Sequence, residues 1–254
     1  MPGNRVLKTR FSGTSDGRRR TLTGHRRDLS WAAMTKAWIS WSCGKDGAFA
    51  LQTARGEVEV EGLLTTTNDD AVAMSRIPAE LLRRQAEALG LPLHTVDLPW
   101  PCPNDVYEQR TGAALAELRE QGTDEIVYGD LFLADIRAYR EQALAGTGLR
   151  ARFPLWQRPT AELAREMLDA GLRAVIVCVD PGQAPPGIVG KEWDEDLIRS
   201  LPESVDPCGE NGEFHTFVTD GPGFAHPVDV AVGDTVERDG FLYAPLTARG
   251  PSTG

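Results

Sequence analysis

Six consecutive residues near the start of the patterned part of the chain have the composition of a phosphate-binding loop. They stand between an apolar run and a predicted helix, and they are Ser42, Cys43, Gly44, Lys45, Asp46 and Gly47. Free backbone N–H groups at a helix start, together with the helix dipole, favour a bound phosphate. Lys45 would add a mobile positive charge that faces solvent, and Asp46 would hold a magnesium ion together with phosphate oxygens. The segment therefore predicts a site for a nucleotide and its metal ion.

A dense group of polar residues lies near the end of the chain, within residues 206–217. Its members are Glu210, Asn211, Gly212, Glu213, His215 and Thr216. So many polar groups require hydrogen-bond partners if they are buried. If residues 213–217 are extended, Glu213 and His215 lie on one face of the strand, where they would move a proton or hold a substrate group. The alternative is a self-contained turn whose carboxylates accept backbone N–H groups.

Three charged residues lie at and after the predicted fourth strand. Asp130 follows the carboxyl end of this strand, where open α/β sheets bind ligands, so we predict a catalytic role for it. Arg137 and Arg140 lie on the following predicted helix and would bind a phosphate or a substrate carboxylate. For Arg137, a surface ion pair with Asp135 or Glu141 is the alternative.

Short apolar runs alternate with helical stretches, which is typical of a parallel α/β sheet. The predicted strands are 36–41, 58–66, 93–98, 125–129 and 173–179, and the predicted helices are 46–55, 78–89, 104–121, 135–146 and 160–170. Prolines divide the chain beyond residue 180, and strand-like runs follow near 214–219 and 228–232. We therefore predict a nucleotide-binding domain at 36–180 and a smaller substrate region with a flexible tail at 181–254.

The first part of the chain, residues 1–35, is rich in arginine and poor in apolar residues. The arginines are Arg5, Arg10, Arg18, Arg19, Arg20, Arg26 and Arg27. Such a segment is predicted to be a disordered or non-native extension, with Met34 as a candidate start of the native chain. A basic arm that contacts nucleic acid is the other interpretation.

Composition and charge narrow the classes of function. A net charge of −10 argues against general binding of nucleic acid and favours a small ligand. The cysteines form no C-x-x-C pair, so neither a zinc ribbon nor a thioredoxin-like site is expected; they are Cys43, Cys102, Cys178 and Cys208. The sequence contains neither a signal-peptide core nor an apolar run of membrane-spanning length, which predicts a cytoplasmic protein with no membrane partner.

The motifs resemble those of a known family. Residues 42–47 resemble the S-G-G-K-D-S loop of the ATP pyrophosphatases, but Cys43 replaces a glycine or serine, and Gly47 replaces a serine that can reach phosphate. Together with this loop, four further segments are similar to the diphthine-ammonia ligase family: GD at 129–130, DIRAYRE at 135–141, FPLW at 153–156 and DPCGENGEFHTF at 206–217. The resemblance extends from residue 36 to about residue 232.

This resemblance implies a fold, a reaction and a set of roles. The fold would be a HUP-type, Rossmann-like parallel sheet flanked by helices, with a smaller C-terminal region. ATP with Mg²⁺ would adenylate a carboxylate on a protein side chain or a small molecule, and ammonia or ammonium would supply the amide nitrogen, as in the formation of diphthamide on elongation factor 2. The implied catalytic residues are Lys45, Asp130, Glu210, Asn211, Glu213 and His215. The phosphate loop would bind the nucleotide, and the implied substrate-binding residues are Arg137, Arg140, Gly212 and Thr216.

Other functions stay open at this point. One alternative is that the loop, without a serine at position 47, binds or hydrolyses an adenine nucleotide without ligation. Another is that the enzyme adenylates a different acceptor. Thiolation of a transfer RNA base would need a cysteine pair and a basic surface, and the sequence has neither. The sequence also leaves open whether the protein forms a homodimer.

Overall fold

The computed structural model describes residues 34–72 and 75–250. From Met34 onward the chain forms one compact unit. The predicted N-terminal extension, apart from its last two residues, lies outside the described residues, and so does the end of the predicted tail at 251–254. No helix within the described ranges is both long and apolar enough to cross a membrane.

The first half of the compact unit forms a mostly parallel sheet with helices between its strands. Its elements are β1 (Lys36–Ser40), α1 (Lys45–Ala54), β2 (Glu59–Asn68), β3 (Ala71–Val72), α2 (Ala79–Leu89), β4 (Leu93–Asp97), α3 (Asn104–Glu120), β5 (Glu125–Val127), α4 (Ala134–Leu144) and β6 (Arg150–Arg152). The parallel strands follow the order β4-β2-β1-β5-β6, and the short β3 pairs antiparallel with β2. The predicted α/β fold is confirmed.

The sequence explains why these strands lie inside the sheet. In β1, Ala37, Trp38 and Ile39 are all buried, although they point alternately to opposite faces. Burial on both faces is characteristic of a parallel sheet that is covered by helices. In α2, the residues at helical spacing Leu81, Leu82 and Leu89 are buried, so this amphipathic helix covers one of the faces.

The second half of the unit contains two antiparallel sheets. Its elements are α5 (Thr160–Asp169), β7 (Arg173–Val179), a short 3₁₀ turn (Pro186–Ile188), α6 (Glu195–Ser200), β8 (Phe214–Asp220), β9 (Val230–Val232), β10 (Val236–Arg238), β11 (Phe241–Tyr243) and β12 (Leu246–Ala248). Four of the strands pair in the order β10-β11-β7-β8, and β12 pairs with β9. The main core cluster includes Ile39 and Leu51 from the first half and Phe217 and Val218 from the second. The two halves therefore share one hydrophobic core.

One expectation about the sheet is wrong. The run at 173–179 does form a strand, but this strand does not join the parallel sheet. It pairs antiparallel with β8, and Val175 lies opposite Phe217. A short apolar run that is buried on both faces shows that a strand is present but not which partner it has. The change from parallel to antiparallel architecture therefore precedes Arg173 instead of falling near residue 180.

Candidate active site

A cavity of about 610 Å³ opens at the carboxyl ends of the parallel strands. One wall comes from the strand ends and includes Ser40, Leu64, Thr65, Thr66 and Val96. The wall of the helices α3 and α4 includes Tyr107, Leu133, Ile136, Tyr139 and Arg140. Segments from both halves of the chain complete the cavity, which therefore has both apolar and charged lining residues.

Most of the residues that the sequence predicts for the site line this cavity. They are Ser42, Gly44, Lys45, Asp46, Asp130, Arg140, Glu210, Gly212, His215 and Thr216. The other predicted residues do not line it; they are Cys43, Gly47, Arg137, Asn211 and Glu213. We call residues 42–47 the phosphate loop and residues 206–217 the C-terminal motif.

The N-terminus of α1 is capped by a residue from the other half of the chain. Gly44 occupies the N-cap position and has no side chain to cap the helix. Instead, the hydroxyl of Thr216 in β8 accepts a hydrogen bond from the backbone N–H of Lys45 at 3.1 Å. This bond satisfies one of the N–H groups that a helix start leaves unpaired, and it fixes the strand against the phosphate loop.

A glycine after β5 allows the strand end to approach the same helix start. A Cβ atom added at Gly129 would lie 2.8 Å from the backbone carbonyl carbon of Asp46 and 2.8 Å from the backbone nitrogen of Gly47. No side chain fits in that space without displacing the backbone of α1. The glycine therefore brings the neighbouring Asp130 close to the phosphate loop.

The side chain of Lys45 does not face solvent, so that expectation is wrong. It is only 2% exposed. Its ammonium donates hydrogen bonds to both carboxylate oxygens of Asp46, at 3.0 and 2.9 Å, and to the backbone carbonyl of Cys208. It also lies 5.7 Å from the ring centroid of Trp193 and 5.6 Å from that of Phe214. Burial lowers the pKa of Lys45, but the Asp46 carboxylate and neighbouring groups outweigh it and raise the pKa. The charged side chain of Lys45 therefore connects the phosphate loop to the C-terminal motif.

The C-terminal motif divides its polar groups between the cavity and its own backbone. The carboxylate of Glu213 accepts hydrogen bonds from the backbone N–H of Asp206 at 2.9 Å, from that of Asn211 at 2.8 Å, and from the Asn211 amide at 2.9 Å. Glu213 is 2% exposed and precedes β8, so it does not share a strand face with His215. This geometry supports the alternative of a self-contained turn for Glu213 and Asn211.

Glu210 connects the motif to the loop after β5. Its carboxylate accepts backbone N–H groups from Leu131 at 2.9 Å and from Phe132 at 3.2 Å. Because this carboxylate also lines the cavity, it both positions the loop that carries Asp130 and presents negative charge to a ligand.

Asp130 and Arg140 face each other without a hydrogen bond. Arg140 Nε lies 3.7 Å from Asp130 Oδ2, and both atoms are buried without a hydrogen-bond partner among the described residues. Such groups normally have hydrogen-bond partners in a folded protein, so this pair is an exception among the cavity residues. The guanidinium of Arg140 lies 5.1 Å from the ring centroid of Tyr128, which restricts its position on the wall.

Arg137 is held outside the cavity. Its Nε donates to Glu141 at 2.8 Å, and its guanidinium lies 4.8 Å from the ring centroids of both Phe153 and Trp156. The surface ion pair that the sequence offered as the alternative is therefore the observed arrangement, and aromatic contacts reinforce it.

Burial and neighbouring charges shift the pKa values of the cavity residues. Burial lowers the pKa of His215, and the positive charge of Lys45 lowers it further, so the imidazole is neutral at pH 7. Burial raises the pKa of Asp130 and Glu210, and the Asp46 carboxylate adds to both shifts, although Arg140 and backbone N–H groups oppose them. The cavity thus combines a neutral base with two carboxylates, Asp130 and Glu210, that the charge of Asp46 repels.

Sequence reasoning missed two aromatic residues that contact the charged side chains of this cavity. Trp193 donates through its indole N–H to the Pro207 carbonyl at 2.9 Å and covers the ammonium of Lys45. Tyr128 lies on the wall beneath Arg140, and burial raises its pKa to about 12. Tyr128 could have been found from the sequence, because it directly precedes the Gly129-Asp130 pair. Nothing local in the sequence connects Trp193 with Lys45.

The fold and the cavity together define a Rossmann-like α/β protein. A helix N-terminus of the kind that can bind phosphate lies at the carboxyl edge of its sheet. Residues 35–151 match the sequence model of the diphthamide synthase N-terminal domain, and residues 159–242 match that of the diphthamide synthase C-terminal domain. The chain belongs to this family, the diphthine–ammonia ligases, as its motifs implied.

Several curated proteins named diphthine–ammonia ligase are similar to the chain. That of Danio rerio is 30% identical over 177 residues, that of Homo sapiens 29% over 176 and that of Bos taurus 28% over 176. Each alignment covers 63% of this chain, together with 69% of the Danio rerio protein and 66% of each of the other two.

Proposed function

We propose that the protein is an ATP-dependent amide ligase that adenylates a carboxylate, releases pyrophosphate and transfers the acyl group to ammonia. One observation carries the proposal. A single cavity brings together an open helix start, a neutral histidine, three carboxylates and an arginine that lacks a hydrogen-bond partner at Nε. Membership of the diphthine–ammonia ligase family supports the same reaction.

ATP would bind with its phosphates against the phosphate loop and its adenine near the ends of β1 and β2. The helix start of α1 supplies N–H groups and a favourable dipole for the phosphates. Thr65 and Thr66 line the neighbouring wall and offer hydroxyl groups to the base or the sugar. Lys45 contributes positive charge from beneath the loop, since its ammonium is already held by Asp46 and Cys208.

The site is suited to magnesium that arrives with the nucleotide. Asp46, Asp130 and Glu210 outnumber the cavity cations Lys45 and Arg140, so adding a polyphosphate creates a demand for a cation. The described residues hold no cluster of three or more His, Cys, Asp or Glu side chains arranged for a metal. Magnesium commonly uses one or two carboxylates together with phosphate oxygens, and Asp46 would supply one of these carboxylates. When bound, the ion would neutralise phosphate charge.

The acceptor would lie on the α3–α4 side of the cavity. Arg140 would bind and orient the acceptor carboxylate, one oxygen of which attacks the α-phosphorus while pyrophosphate leaves. Ammonia then attacks the acyl carbon, the bond to AMP breaks, and AMP leaves with the electron pair. His215, neutral at pH 7, would take the proton that the attacking nitrogen loses. Before this step, Asp130 and Glu210 would hold the ammonium, and one of these two carboxylates would accept its first proton to release ammonia.

The reaction can be tested with elongation factor 2 that carries diphthine as the acceptor. The protein is incubated with ATP, magnesium and ammonium, and AMP, pyrophosphate and the amide product are quantified. We expect AMP and pyrophosphate in equal amounts, and only when an acceptor is present. Formation of ADP and phosphate would contradict the proposal. ATP binding without AMP across a panel of carboxylate acceptors would support the alternative of a non-catalytic nucleotide-binding protein.

A further inference from the structure

A buried glutamine links the phosphate loop to the second sheet. Gln85, in the middle of α2, is completely buried. Its side-chain oxygen accepts the indole N–H of Trp41 at 2.9 Å, and its side-chain nitrogen donates to the backbone carbonyls of Cys43 at 3.2 Å and Val218 at 2.6 Å. Because the indole can only donate and the carbonyls can only accept, the network admits one orientation of the amide.

These bonds meet at an unfavourable backbone conformation in the phosphate loop. Cys43 has a φ of 67°, in the left-handed region that residues with a side chain rarely adopt. The Cys43 carbonyl also accepts the backbone N–H of Val218 at 2.9 Å. The next residue is Gly44, the N-cap of α1, so the orientation of the Cys43 peptide determines where the helix start points.

We propose that Gln85 is a positioning residue for the phosphate site. It holds the Cys43 peptide in its left-handed conformation, and it thereby aims the N–H groups at the start of α1 into the cavity. Gln85 does not line the cavity, so it acts on a ligand through the residues that it bonds, chiefly Cys43. This inference rests on the proposed function, in which the phosphate loop binds ATP.

A role limited to stability makes a different prediction. Any buried amide with three hydrogen bonds stabilises a fold, and removing it leaves the Trp41 indole N–H without its acceptor and takes one donor from each of two carbonyls. If that were its whole contribution, loss of Gln85 would lower the melting temperature while the folded fraction bound ATP normally. Measuring ATP affinity well below the melting temperature separates the two roles.

The test compares Gln85→Leu and Gln85→Glu with a matched control. Thr123→Val removes the hydrogen bond of another fully buried residue, that of the Thr123 hydroxyl to the partly buried Glu61 at 3.2 Å, beside the amino end of β5 and away from the phosphate loop. Calorimetric titration with ATP and magnesium gives the Kd. We expect Gln85→Leu to raise the Kd on the order of tenfold, as loss of one well-made hydrogen bond would. The control should lower the melting temperature and leave the Kd unchanged.

Gln85→Glu keeps the inference testable if the leucine variant does not fold. An ionised glutamate cannot donate to the Cys43 carbonyl, whereas a protonated one can. Its Kd for ATP should therefore fall toward the parent value as the pH is lowered, when the parent is measured at the same pH values. If both Gln85 variants bind ATP as tightly as the parent, the inference is wrong. A parent that does not bind ATP would contradict the proposed function, and this inference with it.

Discussion

The phosphate loop and the C-terminal motif contribute to the cavity in different ways. The phosphate loop acts mainly through its backbone, because Gly44 has no side chain and the Lys45 ammonium is buried beneath the loop. The C-terminal motif acts through side chains, of which His215 and Thr216 reach the cavity while Glu213 bonds to its own turn. The phosphate loop thus offers a helix start to the cavity, whereas part of the polar density of the C-terminal motif stabilises its own turn.

The two segments are also joined directly. Thr216 caps the helix of the phosphate loop, and Lys45 donates to the Cys208 carbonyl of the motif. The phosphate loop and the C-terminal motif therefore meet at the same cavity. If these contacts matter for the site, substitutions on either side of them should change both stability and ATP binding.

Replacing Lys45 should have the largest effect. Lys45→Met removes a buried cation and leaves the carboxylate of Asp46 and the Cys208 carbonyl without their donor. We expect the free energy of unfolding to fall by roughly 3 kcal/mol or more, and ATP binding to be lost. Chemical denaturation and titration measure the two effects. Lys36→Met is the control, since the Lys36 side chain is 41% exposed and its ion pair with Glu61 should matter little. Equal stability of the Lys45 and Lys36 variants would contradict this account.

Gly129→Ala should separate the strand end from the helix start. The added methyl group would lie 2.8 Å from the backbone of Asp46, so β5 or α1 must move. We expect a loss of about 1–3 kcal/mol, typical of overpacking, with weaker ATP binding. Gly112→Ala is the matched control: this glycine lies within α3 with no atom within 4 Å of the added carbon. The free energy of unfolding of Gly112→Ala should be higher than that of the parent by about 0.5–1 kcal/mol. Unchanged ATP binding in Gly129→Ala would show that this close approach is irrelevant to the site.

Glu213→Gln tests the structural part of the C-terminal motif. The amide retains an acceptor oxygen but loses the charge and one acceptor, so the turn should lose roughly 1–2 kcal/mol. AMP formation by the folded enzyme should change little. His215→Gln should show the reverse, with near-normal stability and AMP formation reduced on the order of 10²-fold. If Glu213→Gln lost activity on that scale while keeping its melting temperature, Glu213 would be a catalytic base and the turn interpretation would be wrong.

The depressed pKa of His215 predicts a pH-dependent stability. Since burial holds this pKa below its usual 6.5, the unfolded chain takes up the proton first as the pH falls. The contribution of His215 to stability is therefore complete above the unfolded pKa and is lost below it, toward the lower folded value. When the pH is lowered from 7 to about 5, the free energy of unfolding should therefore decrease less for His215→Gln than for the parent protein. Parallel curves for the two proteins would contradict the burial of a neutral imidazole.

The sequence predicted the elements of the fold better than their partners. The strands at residues 36–41 and 93–98 could be predicted, because an apolar run between two helices is a local signal of a strand in a parallel sheet. The antiparallel pairing of 173–179 depends on Phe217 and its neighbours, which are distant in the sequence. Local patterns carry no information about such a pairing.

The same limit applies to the site. The composition of residues 42–47 indicated an anion site because a helix start binds phosphate through its backbone. The burial of Lys45 depends on Trp193, and the buried network of Gln85 depends on Val218, so no local pattern indicates either. Gln85 did leave one trace, a polar residue on the apolar face of α2 between Leu81 and Leu89.

The most direct test of the contacts between the phosphate loop and the C-terminal motif is the affinity of Thr216→Val for ATP. Valine keeps the shape of the side chain and removes only the hydroxyl that accepts the Lys45 N–H. Thr219→Val, in the same strand, is the control, because its hydroxyl bonds the Arg173 carbonyl and not the phosphate loop. If the C-terminal motif builds the phosphate site, titration will show the Kd of Thr216→Val raised by about five- to tenfold, with the control unchanged. Equal affinity of the two variants would show that the phosphate loop binds ATP without the motif, and the account would fail.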